Sequence, residues 1–133
     1  MASRSEIKYM SQVDDILKKF DEFETSMKTH LAKVDPRLIV DLLLLQKKEP
    51  SNKNPIYTLE VFIKPNQNTD EIRNRIIKET GMVPAFYDGG THIVVAHKIN
   101  FDMLKMINDI ETVERIRGTY SGGGMASIGP VYD

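Results

Sequence analysis

The chain contains no cysteine, so disulfide bonds and thiolate metal sites are excluded. It also lacks a long apolar run. The longest, LIVDLLLL at residues 38–45, is interrupted by Asp41 and is far shorter than the roughly 20 residues that span a bilayer. The first residues, MASRSEIKYMSQVDD, contain no apolar segment typical of a secretion signal. We therefore expect a cytoplasmic protein with no membrane partner.

An excess of positive charge is missing as well. The 18 lysine and arginine residues are balanced by 19 aspartate and glutamate residues, and the formal net charge is −1. Proteins that hold nucleic acid through its phosphates carry a basic patch or stripe. The charge balance therefore predicts that nucleic acid is not a partner.

An amphipathic helical pattern fills the N-terminal part. Residues 1–10 are predicted to form a loose arm, and Ser11 is placed to cap a helix, with Asp14 three residues further on. Apolar residues then recur at steps of three and four: Val13, Ile16, Leu17, Phe20, Phe23, Met27, Leu31 and Val34. Such a helix either docks on its own domain or pairs with a second copy. In the second case the protein is a homodimer that self-associates through Val13, Ile16, Phe20, Phe23 and Met27.

A second, shorter helix is predicted directly afterwards. Asp35 is a natural N-cap and Pro36 suits the first helical position, where its missing N–H does no harm. The helix should end near Lys48, before the polar loop EPSNKNP. Residues 11–48 are therefore predicted to be a helical extension of the domain that follows.

The remaining pattern alternates strands and helices. IYTLEVFIK predicts a strand, and a helix capped by Thr69 follows. Two strands are then joined at Asp88-Gly89-Gly90, where positive backbone φ is tolerated. A helix capped by Asn100 and the strand ERIRGTY complete the order β-α-β-β-α-β over residues 56–120. This predicts an α+β, ferredoxin-like split βαβ fold, with two helices covering one face of an antiparallel sheet.

The sequence offers no convincing catalytic or metal-binding group. His92 and His97 lie five positions apart in one predicted strand, so they face opposite sides of the sheet and do not readily bind one metal. Ser121 and Ser127 lie in the glycine-rich tail, a poor place to preorganise a nucleophile. We predict no enzyme activity, no metal site and no cofactor.

Residues 121–133, SGGGMASIGPVYD, are predicted to be a flexible glycine-rich tail. Three interpretations remain open at this point. The tail is a disordered end, a peptide that binds in the cleft of another protein, or a segment that folds back on its own or a neighbouring subunit.

Three segments carry a resemblance to a known family. They are ETGMVPAFYD, INFDMLKMINDIETVERIRG and the lead-in helix VDPRLIVDLL. Together with the order of elements, they make the block 56–120 resemble the propeptide domain of subtilisin-like serine proteases and the related stand-alone peptidase inhibitors. The motifs are hydrophobic patterns with a few fixed glycines, and none of them is catalytic.

The resemblance implies a protein-binding function. In that family the open sheet face packs on the protease, and the tail after the last strand lies in the substrate cleft. It therefore implies a subtilisin-like protease as the partner, which the protein binds, inhibits or helps to fold. The implied partner-binding residues are Phe62 on the sheet and Tyr120, Met125, Ile128, Val131 and Tyr132 at the end of the chain.

Two other functions fit the same pattern of elements. The first is an oligomeric scaffold or interaction protein that uses the N-terminal amphipathic helix. The second is a small-ligand sensor of the ACT type, which has the same order of strands. Against the sensor, the loop KPNQNTDE between the first strand and its helix lacks the glycine that such ligand loops tend to have.

Overall fold

The structure of the protein, a computed structural model, describes residues 4–121, with side chains for residues 11–79 and 81–121. The chain divides into two compact units, Met1–Ala32 and Lys33–Asp133. Within the described residues, no helix combines the length and the apolar content that crossing a membrane requires.

The first unit consists of helix α1, Arg4–His30, which is 27 residues long. The predicted start at Ser11 is wrong, because residues 4–10 are helical and do not form an arm. No glycine or proline lies between Arg4 and Ser11, so nothing there stops a helix. The predicted end near Val34 is also wrong. Val34 fits the apolar spacing of the helix but forms a parallel β-bridge with Ile116 in the second unit.

The second unit holds the remaining elements. In chain order they are α2 (Pro36–Lys48), β1 (Ile56–Ile63), α3 (Thr69–Thr80), β2 (Ala85–Tyr87), a 3-10 turn (Asp88–Gly90), β3 (His92–Lys98), α4 (Phe101–Asn108) and β4 (Val113–Tyr120). The four strands pair antiparallel in the order β2-β3-β1-β4. The predicted α+β class and ferredoxin-like order are therefore confirmed, with helices preceding the sheet.

Side-chain caps explain where the helices of this unit begin. Asp35 accepts a hydrogen bond from the Arg37 amide at 2.9 Å, and Asn100 caps α4 through the Met103 amide at 2.9 Å. The predicted Thr69 cap of α3 is wrong by one residue, since the Asn68 side chain accepts from the Glu71 amide at 3.1 Å. Helix α3 ends at Gly81, whose φ of 73° is the left-handed conformation that glycine adopts at low cost.

The core lies between one face of the sheet and helices α2, α3 and α4. Along β1, Leu59, Val61 and Ile63 are buried on this face. Helix α2 contributes Leu38, Ile39 and Leu42; helix α3, Ile72 and Ile76; and helix α4, Leu104 and Ile107. Val61, Ile76 and Leu104 are at most 3% exposed, as predicted for residues of the core.

The entry into α2 is attached to the outer edge of the sheet. Ile116 of β4 donates its amide to the Lys33 carbonyl at 2.8 Å and accepts from the Asp35 amide at 2.7 Å. The Lys33 ammonium donates to the Ile110 carbonyl at 2.7 Å, and the Lys33 amide to Asn108 Oδ1 at 2.9 Å. Helix α2 therefore lies in the same compact unit as the sheet.

Candidate functional site

Strand alternation gives the sheet a second face, opposite α2, α3 and α4. The register pairs Thr58 with Ala96 and Thr119, Glu60 with Val94 and Arg117, and Phe62 with His92 and Arg115. Side chains directly opposite each other in an antiparallel pair share a face. We call this surface the charged sheet face; it consists of Thr58, Glu60, Phe62, His92, Val94, Ala96, Arg115, Arg117 and Thr119.

Glu60 lies at the centre of the charged sheet face. Its Oε1 lies 2.9 Å from His92 Nε2, and its Oε2 accepts a hydrogen bond from Arg117 Nε at 2.7 Å. Arg117 Nη2 also donates to Oε1 at 3.3 Å, which makes the ion pair bidentate. The Glu60 side chain is 5% exposed and the Arg117 side chain 19%, so the pair is largely removed from solvent.

His92 continues this network towards the β2–β3 turn. Its Nδ1 lies 3.1 Å from Asp88 Oδ2 while its Nε2 faces Glu60, and its side chain is 2% exposed. An ionised carboxylate only accepts hydrogen bonds, so both contacts are hydrogen bonds only when the imidazole carries two protons. His92 therefore connects the Asp88 carboxylate to the Glu60 carboxylate, and Arg117 pairs with Glu60 from the other neighbouring strand.

Phe62 is held from several sides. Its ring stacks on the His92 ring with 4.4 Å between centroids and 20° between planes. The guanidinium carbon of Arg117 lies 5.3 Å from the Phe62 centroid and that of Arg115 lies 5.8 Å away, both within cation–π range. Phe62 remains partly exposed, so the network presents a fixed aromatic ring at the surface.

The ion pairs and hydrogen bonds of the network are made between residues of the sheet unit. Within the described residues, no group of three or more His, Asp or Glu side chains is placed to hold a metal ion. The Thr58 and Ser121 hydroxyls lie 3.0 Å apart and hydrogen-bond each other. The imidazole nitrogens of His92 face carboxylates, so neither is aligned with a hydroxyl nucleophile.

The structure separates the residues expected to bind a partner. Phe62 lies on the charged sheet face, whereas Tyr120 pairs with Tyr57 on the helix-covered face, with 5.4 Å between their ring centroids. Phe62 and Tyr120 therefore lie on opposite faces of the sheet, because Tyr57 and Phe62 are an odd number of positions apart along β1. Met125, Ile128, Val131 and Tyr132 lie outside the described residues.

The expected self-association residues on α1 divide by exposure. Ile16, Phe20 and Val13 are 66%, 53% and 39% exposed, respectively. Phe23 is half-buried and Met27 is buried. The free apolar stripe thus lies in the N-terminal and middle turns of the helix, where Leu17 adds to it at 56% exposure.

A groove of about 380 Å³ runs along the outer edge of β4. It lies between Arg117–Tyr120 and helix α2, with Leu38 and Gly118 among its lining residues and Arg37 and Asp41 on its helical side. Beneath it, the buried Tyr57 hydroxyl donates to Asp41 Oδ2 at 2.8 Å. Burial raises the pKa of the Tyr57 phenol above its ordinary value, and the hydrogen bond to Asp41 and its charge raise it further.

A smaller cleft, of about 160 Å³, lies beside the β1–α3 connection between Asn68, Arg75 and Thr112. A ligand site of the ACT type would require a pocket near this connection. Pockets that enclose small molecules usually measure about 300–1,000 Å³. The cleft falls below that range, so its size does not favour the small-ligand sensor.

None of the protein-family models, curated proteins or solved structures compared with the chain matches it.

Sequence reasoning missed Glu60, His92 and Arg117 as a connected group. One signal was present: Glu60 is a charged residue in the middle of the apolar strand IYTLEVFIK. A carboxylate on a central strand is almost always paired when it is buried. Its partners stand 32 and 57 positions away in the chain, so naming them requires the register of β3 and β4.

Proposed function

We propose that the protein is a non-enzymatic protein-binding module that binds a subtilisin-like serine protease through the charged sheet face. The observation that carries the proposal is the Phe62 ring, fixed on that face between His92 and two arginines. Aromatic residues and arginine dominate the energetic centres of protein interfaces. A ring that is already immobilised loses little side-chain entropy on binding.

The fold and the charges support the same proposal. Helices α2, α3 and α4 occupy the other face; on the charged sheet face Thr58, Glu60, His92 and Val94 are buried, whereas Phe62 is partly exposed and Arg115 is exposed. Its ion pairs are satisfied internally, so a partner meets a preorganised surface and no isolated buried charge. Residues 56–120 resemble protease propeptides, and this resemblance indicates a subtilisin-like protease as the class of partner. The protein would bind that protease, inhibit it or assist its folding.

The test is an inhibition assay against a panel of subtilisin-like proteases with wild type and Phe62→Ala. We expect wild type to inhibit at least one protease and Phe62→Ala to weaken that inhibition about 30-fold, which corresponds to the loss of about 2 kcal/mol at an interface centre. Met106→Ala is the matched control, because Met106 is an apolar residue of α4 that is 37% exposed on the other side of the unit. The proposal fails when no protease is inhibited at micromolar concentration, or when both variants behave alike.

A second candidate function is self-association through α1, which its exposed apolar stripe favours. Phe20→Asp combined with Phe23→Asp would place two charges in that stripe and abolish a dimer in sedimentation experiments. Thr25→Asp with Thr29→Asp is the control, since both threonines are exposed and lie on the opposite side of the helix. A wild type that is monomeric at high micromolar concentration rules this candidate out.

A further inference from the structure

The outer edge of β4 is only partly covered. In the sheet order β2-β3-β1-β4, strand β4 has a neighbouring strand on one side only. Ile116 bonds outward to Lys33 and Asp35, whereas the Ser121 amide donates inward to the Ile56 carbonyl at 2.9 Å. An edge strand whose N–H and C=O groups are unpaired is a template for pairing with another chain.

Alternation along β4 identifies the open groups. Successive residues of an antiparallel strand direct their N–H and C=O groups to alternate sides. Gly118 and Tyr120 are an even number of positions after Ile116, so their groups point outward as those of Ile116 do. Among the described residues, none hydrogen-bonds to the outward groups of Gly118 and Tyr120. The edge is therefore covered at Ile116 and open further along.

Two copies of this edge complement each other in one antiparallel register. A twofold axis beside Thr119 places Gly118 opposite Tyr120 of a second copy, and Tyr120 opposite Gly118 of that copy. Each facing pair then exchanges two N–H to C=O hydrogen bonds, so every outward group of these residues gains a partner. A register shifted by two residues either pairs Tyr120 with Ile116, whose groups are already bonded, or leaves Gly118 without a described partner.

The groove beside this edge carries charges that are complementary to themselves under the same axis. Its helical side is lined by Arg37 and Asp41, which lie one turn apart on α2. Asp41 lies at the Tyr120 end of the groove, because it bonds to Tyr57, the partner of Tyr120 in β1. Arg37 lies nearer the entry of α2, which is attached to Ile116. The axis therefore brings the Arg37 guanidinium of each copy towards the Asp41 carboxylate of the other.

A second copy of this chain suits the charged groove better than an apolar peptide does. An apolar occupant would remove water from these charges without supplying a counter-charge, whereas a second copy supplies both signs. Within the part of the chain that the structure describes, Arg37 makes no ion pair that the second copy would have to break. Leu44 lies on the same side of α2, three positions after Asp41, and its 62% exposed side chain would gain cover.

We propose that β4 and α2 form the interface of a twofold-symmetric homodimer. The two β4 edges pair antiparallel about Thr119, so the four strands of each copy join into one continuous sheet. The charged sheet faces of the two copies then lie side by side on that sheet. This interface is separate from the apolar stripe of α1, and the experiments below distinguish the two surfaces.

Amide hydrogen exchange, followed by NMR in the full chain, locates the pairing. At high micromolar concentration we expect the Gly118 and Tyr120 amides to exchange at least about tenfold more slowly than unprotected amides. The Arg117 and Thr119 amides, which point towards β1, should be protected in dimer and monomer alike and report an intact sheet. Unprotected exchange of the Gly118 and Tyr120 amides at this concentration would overturn the proposal.

Sedimentation of Tyr120→Pro tests the same hydrogen bonds. The substitution removes an outward N–H that the symmetric dimer uses twice, and proline is tolerated on a strand edge where the N–H does not face the sheet. We expect the dissociation constant of the dimer to rise about 30-fold, which corresponds to about 2 kcal/mol. Tyr120→Ala is the matched control, because it loses the same ring but keeps the N–H. Equal dissociation constants for the two variants would contradict the proposed pairing.

A mixing experiment tests the charges of the groove. Arg37→Glu and Asp41→Arg each place like charges opposite one another across the axis, whereas a mixture of the two variants restores both pairs of opposite charge. We expect each variant alone to dimerise about tenfold more weakly than wild type, or by about 1.4 kcal/mol, and the mixture to recover the wild-type affinity. A wild-type dimer that is unaffected by these changes and lost in Phe20→Asp with Phe23→Asp would lie on α1 and overturn the proposal.

Discussion

Glu60 connects the two halves of the charged network, because it bonds His92 on one neighbouring strand and Arg117 on the other. Glu60→Gln would remove the carboxylate that pairs with the largely buried Arg117 guanidinium and faces His92 Nε2, while His92 Nδ1 would still face Asp88. Removing one partner of a buried pair costs about 3–5 kcal/mol, and we expect the lower end, because Arg117 reaches solvent.

Urea denaturation at neutral pH measures this loss directly. Glu114→Gln is the control, since Glu114 lies on β4 with its side chain exposed and should change stability by less than about 0.5 kcal/mol. A loss below about 1 kcal/mol for Glu60→Gln would mean that the ion pairs contribute little beyond packing.

The raised pKa of Tyr57 predicts that the protein becomes less stable at alkaline pH. Its pKa is raised in the folded state, above the ordinary value of 10.0, so the neutral phenol contributes its full stability below about pH 10. As the pH rises further, the unfolded chain loses this proton first, and the free energy of unfolding falls. Tyr57→Phe should therefore weaken the pH dependence above pH 10, while costing about 1 kcal/mol at neutral pH through the lost hydrogen bond to Asp41.

Thermal unfolding at pH 8 and pH 11 compares the two proteins. Tyr87→Phe is the control, because Tyr87 lies on β2, which β3 separates from β1, and it should retain the alkaline loss of the wild type. If the melting temperature of Tyr57→Phe falls between pH 8 and pH 11 as much as that of the wild type, a group other than Tyr57 causes the loss of stability.

At the scale of elements, substitutions at two residues of helix α4 test the packing of the core. Leu104 is fully buried, whereas Met106 two positions on is 37% exposed. Leu104→Ala should reduce the free energy of unfolding by about 2–5 kcal/mol, as large-to-small changes in cores do. Met106→Ala should change it by less than about 0.5 kcal/mol. Similar changes in the free energy of unfolding for the two variants would contradict the burial of Leu104 and the exposure of Met106 on α4.

Elements with clear local signals were predictable from the sequence. Asp35-Pro36, Gly81 and Asn100 mark helix ends by capping and by special backbone angles, and the structure places ends at each of them. The limits of α1 were not predictable, since no local signal separates Arg4 from Ser11. Val34 continues the apolar period of α1, but a bridge to Ile116, far along the chain, decides its conformation.

The side-chain contacts of the charged network were also only partly predictable from the sequence. Period-two alternation along IYTLEVFIK is sufficient to predict that Glu60 and Phe62 share one face. It does not indicate that His92 and Arg117 flank Glu60, because that depends on the pairing of β1 with both neighbours. Contacts that cross strands are set by register, which the sequence of one strand does not contain.

At the scale of the whole molecule, truncation after Ser121 tests folding and binding separately. A chain that ends at Ser121 retains every described element of the sheet unit, so we expect its fold to remain intact. Inhibition of a subtilisin-like protease should nevertheless weaken at least about tenfold, or about 1.4 kcal/mol, if the removed segment pairs in the substrate cleft. Circular dichroism and an inhibition assay on both chains measure the two effects. Equal inhibition by the two chains would assign binding to the sheet alone.

The contacts of Lys33 have a consequence for synthesis of the chain. Lys33 bonds to groups 75 and 77 residues later, and β1 lies between two strands, β3 and β4, that both follow it in the sequence. At about 5–20 residues per second, a ribosome makes the partners of Lys33 roughly 4–15 s after Lys33 itself. During that interval the apolar strand β1 first has no partner and then pairs only with β3. The nascent chain is therefore most exposed to aggregation before β4 emerges, and the sheet closes only when nearly all the described residues have been made.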